Sequence, residues 1–337
     1  MKEALFYKKL EEQKVKCELC PHNCLIGDGK RGVCGVRENQ GGTLYSLVYG
    51  KVVSSHVDPI EKKPLFHFLP GSYSYSISTV GCNFRCDFCQ NWEISQMPRD
   101  QHVIVGEDQT PEKVIKAALD NDCQSISYTY TEPTIYFEFA YDCAKLAKEK
   151  GLKNNFVTNG YMNLPVVEMI APYLDAANVD LKSFREDYYR KICGGELQPV
   201  LEAIKLMKKL KIWIELTTLV IPGLNDSSEE LTDIASFIKN EVGDDVPWHV
   251  SAFHPMYKML DRPRTPVETL VKARDIGLKA GLKYVYVGNI PLPGSEDTYC
   301  SKCKKLLVQR SAFTVLKNSL KDGKCYSCGE PASGVWG

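Results

Sequence analysis

Between residues 73 and 290 the chain alternates short β-rich runs with amphipathic helical segments, and this alternation constrains the fold more than any other feature. Seven runs have the character of strands: YSYSISTVG, QSISYTYTEP, NNFVTNG, DAANVDLKS, KIWIELTTLVIPG, PWHVSAFHP and LKYVYVGNI. Helical patterns between them include TPEKVIKAALDND, IYFEFAYDCAKLAKEKG and SSEELTDIASFIKNEV. Strands separated by helices of this length indicate βαβ units and a parallel sheet, so we predict an α/β fold.

The number of these units favours a full or partial (β/α) barrel of the TIM type. A simple Rossmann sheet is less favoured, because no GxGxxG motif follows the first strand. In a barrel the chemistry lies at the carboxyl ends of the strands. The segments at those ends are CNFRCDFC, YTEP, TNG, DLK, VIPGLND, FHP and GNI. We expect them to surround the active site.

The 14 cysteines are the second constraint on the chain. Eleven of them fall into three groups: Cys17, Cys20, Cys24 and Cys34; Cys82, Cys86 and Cys89; and Cys300, Cys303, Cys325 and Cys328. Disulfides are disfavoured in the cytosol, whereas thiolates two or three residues apart are typical of metal sites. The sequence therefore predicts a metalloprotein. The scattered Cys123, Cys143 and Cys193 are interpreted as small hydrophobic residues.

We expect a cytoplasmic protein, because the sequence has the pattern of neither a membrane span nor a signal peptide. Lys plus Arg equals Asp plus Glu at 42 each, so no global basic field indicates a nucleic-acid partner, although a local basic patch is not excluded. No apolar run reaches the roughly 18 residues of a membrane span. The first segment, MKEALFYKKLEEQKVK, has the pattern of a charged amphipathic helix and lacks the apolar core and cleavage site of a signal peptide. We expect a helix there, and no membrane partner.

The loop after the first predicted strand, TVGCNFRCDFCQNWEIS, spaces its cysteines as C-x3-C-x2-C. Three thiolates hold three irons of a [4Fe–4S] cubane and leave the fourth iron open to an exogenous ligand. A structural zinc ion would instead need a fourth protein ligand, for which His102 and His254 are the distant candidates.

The loop resembles the signature of the radical S-adenosylmethionine (SAM) superfamily, with Phe88 as the aromatic residue beside the last cysteine. The resemblance implies that SAM binds the open iron through its amino and carboxylate groups. It also implies reductive cleavage of SAM to a 5′-deoxyadenosyl radical that abstracts hydrogen from a substrate. The expected fold is then the partial barrel of the pyruvate formate-lyase activating enzyme, and the expected electron donor is a ferredoxin or flavodoxin.

The same resemblance implies that the YTEP segment binds SAM. It stands where the family has a Gly-Gly-Glu segment that contacts the amino group of SAM, with Tyr130 and Thr131 in place of the glycines. Glu132 would accept a charge-assisted hydrogen bond from the ammonium. The alternative role for Glu132 is to cap a strand-to-helix turn.

Later strand ends complete the implied SAM site. VTNG matches a Thr-Asn-Gly motif and places Thr158 and Asn159 near the ribose, although Asn-Gly is also ordinary turn chemistry. DLK places Asp180 and Lys182 on polar groups of SAM, with a surface ion pair as the alternative. AFHP places His254 where the activating enzyme has a SAM-contacting histidine, with a structural histidine as the alternative.

Two further cysteine groups flank the predicted barrel. In CSKC and CYSCG, two CxxC pairs predict a zinc ribbon, with an auxiliary iron–sulfur cluster as the alternative. The first group, C-x2-C-x3-C-x9-C with His22 as a possible substitute ligand, suits zinc or an auxiliary cluster, and we favour zinc slightly. We predict a metal-binding region with a strand extension at 1–68, the barrel at 69–292 and a small module at 293–337. The charge run DPIEKKPLFHF is a solvated turn or part of the site.

Nearly the whole chain resembles one family, the AmmeMemoRadiSam system radical SAM enzymes. The resemblance is carried by CELCPHNC…GVCGVRENQGG, VDPIEKKPLFHFLPGS, GCNFRCDFCQNWEIS, SYTYTEPTIYFEF and YCSKC…GKCYSCG…GVW. It implies an iron–sulfur oxidoreductase or transferase with Memo-type and AMMECR-type proteins as partners, and it names no substrate.

Two other functions remain open. One is an activase that installs a glycyl radical on a partner protein, although the ferredoxin-like insert of many activases is absent after Cys89. The other is a zinc-binding adaptor or nucleic-acid-binding module without enzymatic activity. Tyr128, Tyr130 and PTIYFEFAY either line a substrate cavity or pack a helix on the barrel.

Overall fold

The computed structural model of the protein describes residues 1–336, and an eight-stranded sheet forms its centre. In chain order the strands are β1 (Ser54–Pro59), β2 (Tyr73–Ser78), β3 (Ser125–Tyr128), β4 (Lys153–Thr158), β5 (Ala176–Asp180), β6 (Trp213–Val220), β7 (Trp248–Ala252) and β8 (Val285–Gly288). They also lie side by side in that order, with β2 to β8 parallel and β1 antiparallel to β2. Each of the seven predicted β-rich runs therefore contains one of the parallel strands. Within residues 1–336, β1 and β8 do not pair, so the sheet is open.

Six longer helices connect the parallel strands. They are α1 (Pro111–Asp120), α2 (Phe137–Glu149), α3 (Leu164–Ile170), α4 (Leu197–Lys209), α5 (Ser228–Phe237) and α6 (Val267–Ala280). Their start signals are local: the Thr110 side chain accepts a hydrogen bond from the Lys113 amide, and the Ser227 side chain accepts one from the Glu230 amide. The three helical patterns of the sequence analysis correspond to α1, α2 and α5. Shorter helical segments are Ile60–Lys62, Trp92–Ser95, Met97–Asp100, Pro133–Tyr136, Glu186–Tyr188, Tyr189–Cys193 and Ile238–Val242.

The inner face of the sheet carries buried polar side chains. Ser127 accepts a hydrogen bond of 2.6 Å from Ser74 and donates one of 2.7 Å to Asn155. On the next strands Thr217 donates to Asn178 at 2.9 Å. Successive side chains of a strand point to opposite faces, so the apolar residues between these positions face the helices. The sheet therefore has an apolar outer face and a polar inner face beneath the strand ends.

The segment before β1 forms short strands, and the predicted helix over MKEALFYKKLEEQKVK is wrong. The strands are Lys2–Glu3, Tyr7–Lys9, Val15–Cys17, Leu25–Ile26, Arg37–Gln40, Thr43–Ser46 and Lys51–Val52, the last paired with Glu107–Asp108. Tyr7–Lys9 and Val15–Cys17 form an antiparallel hairpin, and Glu12 and Gln13 at its turn have φ of 54°. Pairing with residues distant in sequence overrides a local helix propensity that is only a weak preference.

A small module with its own core follows β8. Its strands are Thr298–Tyr299, Leu306–Ser311, Thr314–Asn318, Leu320–Lys321 and Lys324–Cys325. Leu307 and Val308 pack there against Cys300, Cys325 and Ala332. The predicted boundaries at 68/69 and 292/293 stay a prediction, and Gly337 lies outside the described residues. Among residues 1–336 no helix has both the length and the hydropathy of a membrane span.

Candidate functional site

A cavity of about 570 Å³ lies at the carboxyl ends of the parallel strands, where the sequence predicted the site. Its wall contains the predicted residues Cys82, Cys86, Phe88, Cys89, Tyr130, Thr131, Glu132, Thr158, Asn159, Asp180 and Lys182. His254 is not part of this wall, and neither is His102. The structure thus brings together every predicted SAM-site residue except His254.

Hydrogen-bonding groups lie next to the sulfurs of Cys82 and Cys89 in the three-cysteine loop. The Phe84 amide donates to Cys82 Sγ at 3.3 Å, and the Asn159 amide group donates to the same sulfur at 3.8 Å. Cys89 Sγ lies 3.3 Å from Ser95 Oγ. Burial raises the pKa of the Cys82 and Cys89 thiols. A bound metal centre reverses this effect, because coordination deprotonates a thiol.

The three loop cysteines do not form a compact set of four ligands. Within residues 1–336, such a set is formed by Cys300, Cys303, Cys325 and Cys328, whose sulfurs all lie within 4.8 Å of one another. A structural zinc ion takes a closed shell of four protein ligands. Three thiolates suit instead a centre in which each of them binds a different iron.

Glu132 is buried behind the loop and caps the Pro133–Tyr136 helical turn. Its Oε1 accepts hydrogen bonds from the Thr134 amide at 3.1 Å, the Thr134 hydroxyl at 2.6 Å and the Thr158 hydroxyl at 2.7 Å. Its Oε2 accepts one from the Asn159 amide at 2.8 Å. Burial raises the pKa of Glu132, although these hydrogen bonds oppose the shift. Glu132 therefore has the capping role of the alternative interpretation, and Oε2 keeps one acceptor position.

Thr158 and Asn159 are held by contacts within the protein. The Thr158 hydroxyl accepts from the Gly160 amide at 3.0 Å while it donates to Glu132. The Asn159 amide group donates to Asn83 Oδ1 at 2.8 Å, so it fixes the loop that carries Cys82. Thr158 therefore connects the third parallel strand to Glu132, and Asn159 connects it to the cysteine loop. Their predicted contact with the ribose stays a prediction.

Asp180 and Lys182 form an ion pair inside the cavity. Lys182 Nζ lies 2.8 Å from Asp180 Oδ2 and 5.7 Å from the centre of the Phe88 ring. The Lys182 side chain is 13% exposed and that of Asp180 is 36% exposed, so the pair is partly buried, unlike the fully exposed surface pair of the alternative interpretation. Its predicted contact with SAM stays a prediction.

Tyr130 occupies a backbone conformation that favours glycine. Its φ is 62°, which costs about 1–3 kcal/mol for a bulky residue. Several contacts hold it there: the Asn91 amide group donates to its carbonyl at 2.8 Å, and its hydroxyl donates to Asp58. The next residue, Thr131, donates to the Thr79 carbonyl at 2.8 Å. A backbone conformation that glycine adopts freely is therefore present at Tyr130 without a glycine.

The charge run DPIEKKPLFHF belongs to the cavity wall and not to a solvated turn. Asp58, Glu61 and Lys63 are buried, at 4%, 1% and 2% exposure. Lys63 Nζ lies 2.6 Å from Asp58 Oδ2 and 4.7 Å from the centre of the Tyr130 ring. Burial lowers the pKa of Lys63 to about 8 against the pull of Asp58. The sequence carried no signal for this burial, because Tyr130 is distant in the chain.

Sequence reasoning missed two groups that line the cavity and a thiol next to one of the loop cysteines. His249 lies on β7 and lines the cavity, and its Nε2 pairs with buried Glu215 at 2.7 Å. Glu296, from the small module, also lines the cavity, and burial raises its pKa to about 7. Cys193 lies behind Cys86, where a hydrogen bond shared by the two thiols and burial raise the pKa of Cys86. In WHVS, the polar His249 and Ser251 alternate with apolar residues. This alternation was the signal that could have revealed His249.

The Cys300 group has the geometry of one tetrahedral ion. The Sγ atoms of Cys300 and Cys328 are 3.6 Å apart, and so are those of Cys303 and Cys325. These separations are close to the roughly 3.8 Å edge of a zinc–thiolate tetrahedron. The four thiolates close the coordination shell, as in structural sites.

Comparison with known proteins agrees with this geometry. The model of the radical SAM superfamily matches residues 76–238. An uncharacterized protein of Methanocaldococcus jannaschii is 47% identical over 332 residues, which cover 98% of each chain. The pyruvate formate-lyase-activating enzyme of Clostridium pasteurianum is 26% identical over 214 residues, which cover 60% of this chain and 87% of that enzyme. Among solved structures, a radical SAM methyltransferase from Sphaerobacter thermophilus aligns with a TM-score of 0.52 at 15% identity, over 66% of this chain and 67% of that one.

Proposed function

The chain belongs to the radical SAM superfamily, and on that basis we propose that it cleaves SAM reductively and abstracts hydrogen from a substrate held in the same cavity. The observation that carries this proposal is the convergence of the three loop cysteines and the predicted SAM residues on one cavity. A [4Fe–4S] cluster and SAM, when bound, supply the one-electron chemistry that yields a 5′-deoxyadenosyl radical.

The protein's own residues hold and orient these groups. Cys82, Cys86 and Cys89 are the ligands that the loop offers to three irons. The free acceptor position on Glu132 Oε2 is suited to the ammonium of SAM, and the Lys182 ammonium is suited to its carboxylate. A low-potential ferredoxin or flavodoxin is the proposed source of the electron.

The opposite side of the cavity is the proposed substrate site. It is lined by Lys63, His249 and Glu296, which are charged or titratable groups, and by the exposed Phe313 of the small module. A carboxyl group with a pKa of about 7 exchanges protons near neutral pH. These residues suit a polar substrate that carries both donors and acceptors. The aromatic segment PTIYFEFAY is buried packing, because Tyr136, Phe137 and Phe139 are fully buried and none lines the cavity.

The direct test is to measure 5′-deoxyadenosine formed from SAM by anaerobically reconstituted, dithionite-reduced protein. The wild type should form it, and a Cys89→Ala variant should not. An electron paramagnetic resonance (EPR) spectrum of the reduced wild type should also change when SAM is added. A protein that contains no iron and sulfide after reconstitution, or whose spectrum ignores SAM, would contradict the proposal.

A second candidate is an activase that forms a glycyl radical on a partner protein. It is favoured by the similarity to the Clostridium pasteurianum activating enzyme and to a putative glycyl-radical enzyme activating enzyme of Methanocaldococcus jannaschii. Memo-type and AMMECR-type proteins are the partners proposed from the family resemblance. Incubation of the reduced holoprotein and SAM with each candidate partner should then give a carbon-centred radical signal with the doublet of a glycyl radical. A signal that also appears with Cys89→Ala would count against it.

We also propose that Cys300, Cys303, Cys325 and Cys328 bind zinc. A closed shell of four thiolates with 3.6 Å separations supports this metal. Metal binding would supply folding free energy to a module with a small core.

A further inference from the structure

The first cysteine group also converges on one cavity. Cys17, Cys20, Cys24 and Cys34 together line a cavity of about 20 Å³ beside Arg37. Cys17 lies at the end of a strand and Cys34 follows a turn, so the fold gathers ligands that the sequence spreads over 18 positions. His22 also lines this cavity, and its Nε2 lies 2.8 Å from the Asn83 carbonyl oxygen. We take the four thiols as the ligand set.

The spacing of these sulfurs differs from that of the zinc-like group. Within residues 1–336 no three ligand atoms outside the Cys300 group all lie within 4.8 Å of one another. Every set of three sulfurs from the first group therefore contains a pair that is too far apart for one tetrahedral ion, whose sulfurs lie about 3.8 Å apart. The arrangement fits a polynuclear centre.

Arg37 supplies an independent indication that something anionic fills the cavity. Its side chain is 1% exposed and pairs with Glu138 through Nη2. Its Nε and Nη1 are buried without a hydrogen-bond acceptor in the described structure. Arginine has only donors, and buried donors are almost always satisfied. Sulfides and thiolates of an iron–sulfur cluster accept such hydrogen bonds.

This cavity adjoins the back of the radical SAM loop. Arg99 Nη2 donates to the Val33 carbonyl at 3.1 Å and to the Cys82 carbonyl at 3.2 Å, so one guanidinium joins the two cysteine groups. A side chain at Gly81 would meet the Cys34 carbonyl at 3.2 Å and Val36 at 2.6 Å. Glycine at this position lets the two loops touch.

We propose that Cys17, Cys20, Cys24 and Cys34 bind a second iron–sulfur cluster, with all of its protein ligands supplied by cysteine, and that Arg37 hydrogen-bonds to it. This replaces zinc, which the spacing along the sequence favoured slightly. The proposal stands apart from the radical chemistry, because it concerns a site with no open iron.

The test uses the full-length triple variant Cys82→Ala/Cys86→Ala/Cys89→Ala, which lacks the ligands of the first cluster. After anaerobic reconstitution we expect at least two irons and an equal amount of sulfide per chain, as four cysteines hold in [2Fe–2S] and [4Fe–4S] clusters. Its reduced EPR spectrum should not change on addition of SAM. Absence of iron, together with about two zinc ions per chain, would overturn the proposal.

A matched variant identifies the ligands. Adding Cys20→Ser and Cys34→Ser to the triple variant should remove the remaining iron while about one zinc per chain is kept at the Cys300 group. Iron that persists in this variant would be adventitious and would overturn the assignment. If the variant does not fold, Mössbauer spectra of the wild-type holoprotein give the answer: one iron population should respond to SAM and a second should not. A single SAM-responsive population would overturn the proposal.

Discussion

Replacing Asp58 by Asn tests how the cavity wall is held together. Asp58 Oδ2 lies 2.6 Å from Lys63 Nζ, and the two side chains are 6% and 2% exposed. Removing one partner of a buried ion pair costs about 3–5 kcal/mol, because the other charge stays buried and unpaired. We therefore expect the Asp58→Asn variant to lose ~3–5 kcal/mol of unfolding free energy at pH 7.

The same loss should shrink as the pH rises. Lys63 can escape its unpaired charge by losing its proton, and from its ordinary pKa of 10.5 this costs about 4.8 kcal/mol at pH 7 but only about 2 kcal/mol at pH 9. The sign follows from proton binding. Burial lowers the pKa of Lys63 in the folded protein to about 8, so the unfolded chain binds more protons above that pH and folding becomes more favourable toward pH 10.5. Without Asp58, the pH range in which folding becomes more favourable begins at a lower pH.

Urea unfolding of the anaerobically purified holoprotein at pH 7 and pH 9 measures both effects. Lys62→Met is the matched control, because Lys62 binds the same carboxylate at 2.8 Å while its side chain is 43% exposed. A surface pair of this kind contributes about 0–1 kcal/mol. The reasoning fails if Asp58→Asn costs no more than Lys62→Met at pH 7, or if its cost is the same at both pH values.

Three further outcomes are expected. Burial lowers the pKa of His67 to about 4 from 6.5, so the unfolded chain binds more protons than the folded protein below pH 6.5. The free energy of unfolding should therefore fall by up to about 3.4 kcal/mol between pH 6.5 and pH 4. Urea unfolding of a His67→Gln variant should show a smaller fall. Cys303→Ser should lower the zinc content by about one ion per chain and speed amide hydrogen exchange in residues 298–336, whereas Cys123→Ser should change neither. Glu132→Gln should weaken SAM binding by about tenfold or more in equilibrium titrations, because a charge-assisted hydrogen bond is lost; unchanged affinity would leave Glu132 with its capping role alone.

Local patterns were sufficient to predict the parallel strands. Every β-rich run except the last is followed by a helix of suitable length. The strand predictions succeeded because the parallel sheet keeps the chain order, so neighbours in space are also neighbours in the motif order. The SAM contacts of Glu132 and Lys182 were expected from the family resemblance and stay predictions.

Burial of polar residues could not be predicted in the same way. Asp58 and Lys63 have the composition of a turn, yet both contact Tyr130, which is 72 positions away from Asp58 in the sequence. The first segment was predicted as a helix from its charge pattern, although strand pairing of Lys2–Glu3 with Thr43–Ser46 decides its structure. The polar inner face of the sheet likewise depends on what lies opposite it, which a single strand does not encode.

His67 has a consequence for how the protein is made. Its Nδ1 lies 2.6 Å from the Ser333 carbonyl oxygen, 266 positions later, and the Arg310 guanidinium donates to the carbonyl of the cavity residue Phe66 at 2.7 Å. At about 5–20 residues per second, a ribosome needs roughly 13–53 s to synthesise the chain between those positions. During that interval the loop cysteines already exist, while the wall at Phe66 still lacks its final partners. The wall at Phe66 therefore reaches its final set of contacts only after the loop cysteines have been synthesised.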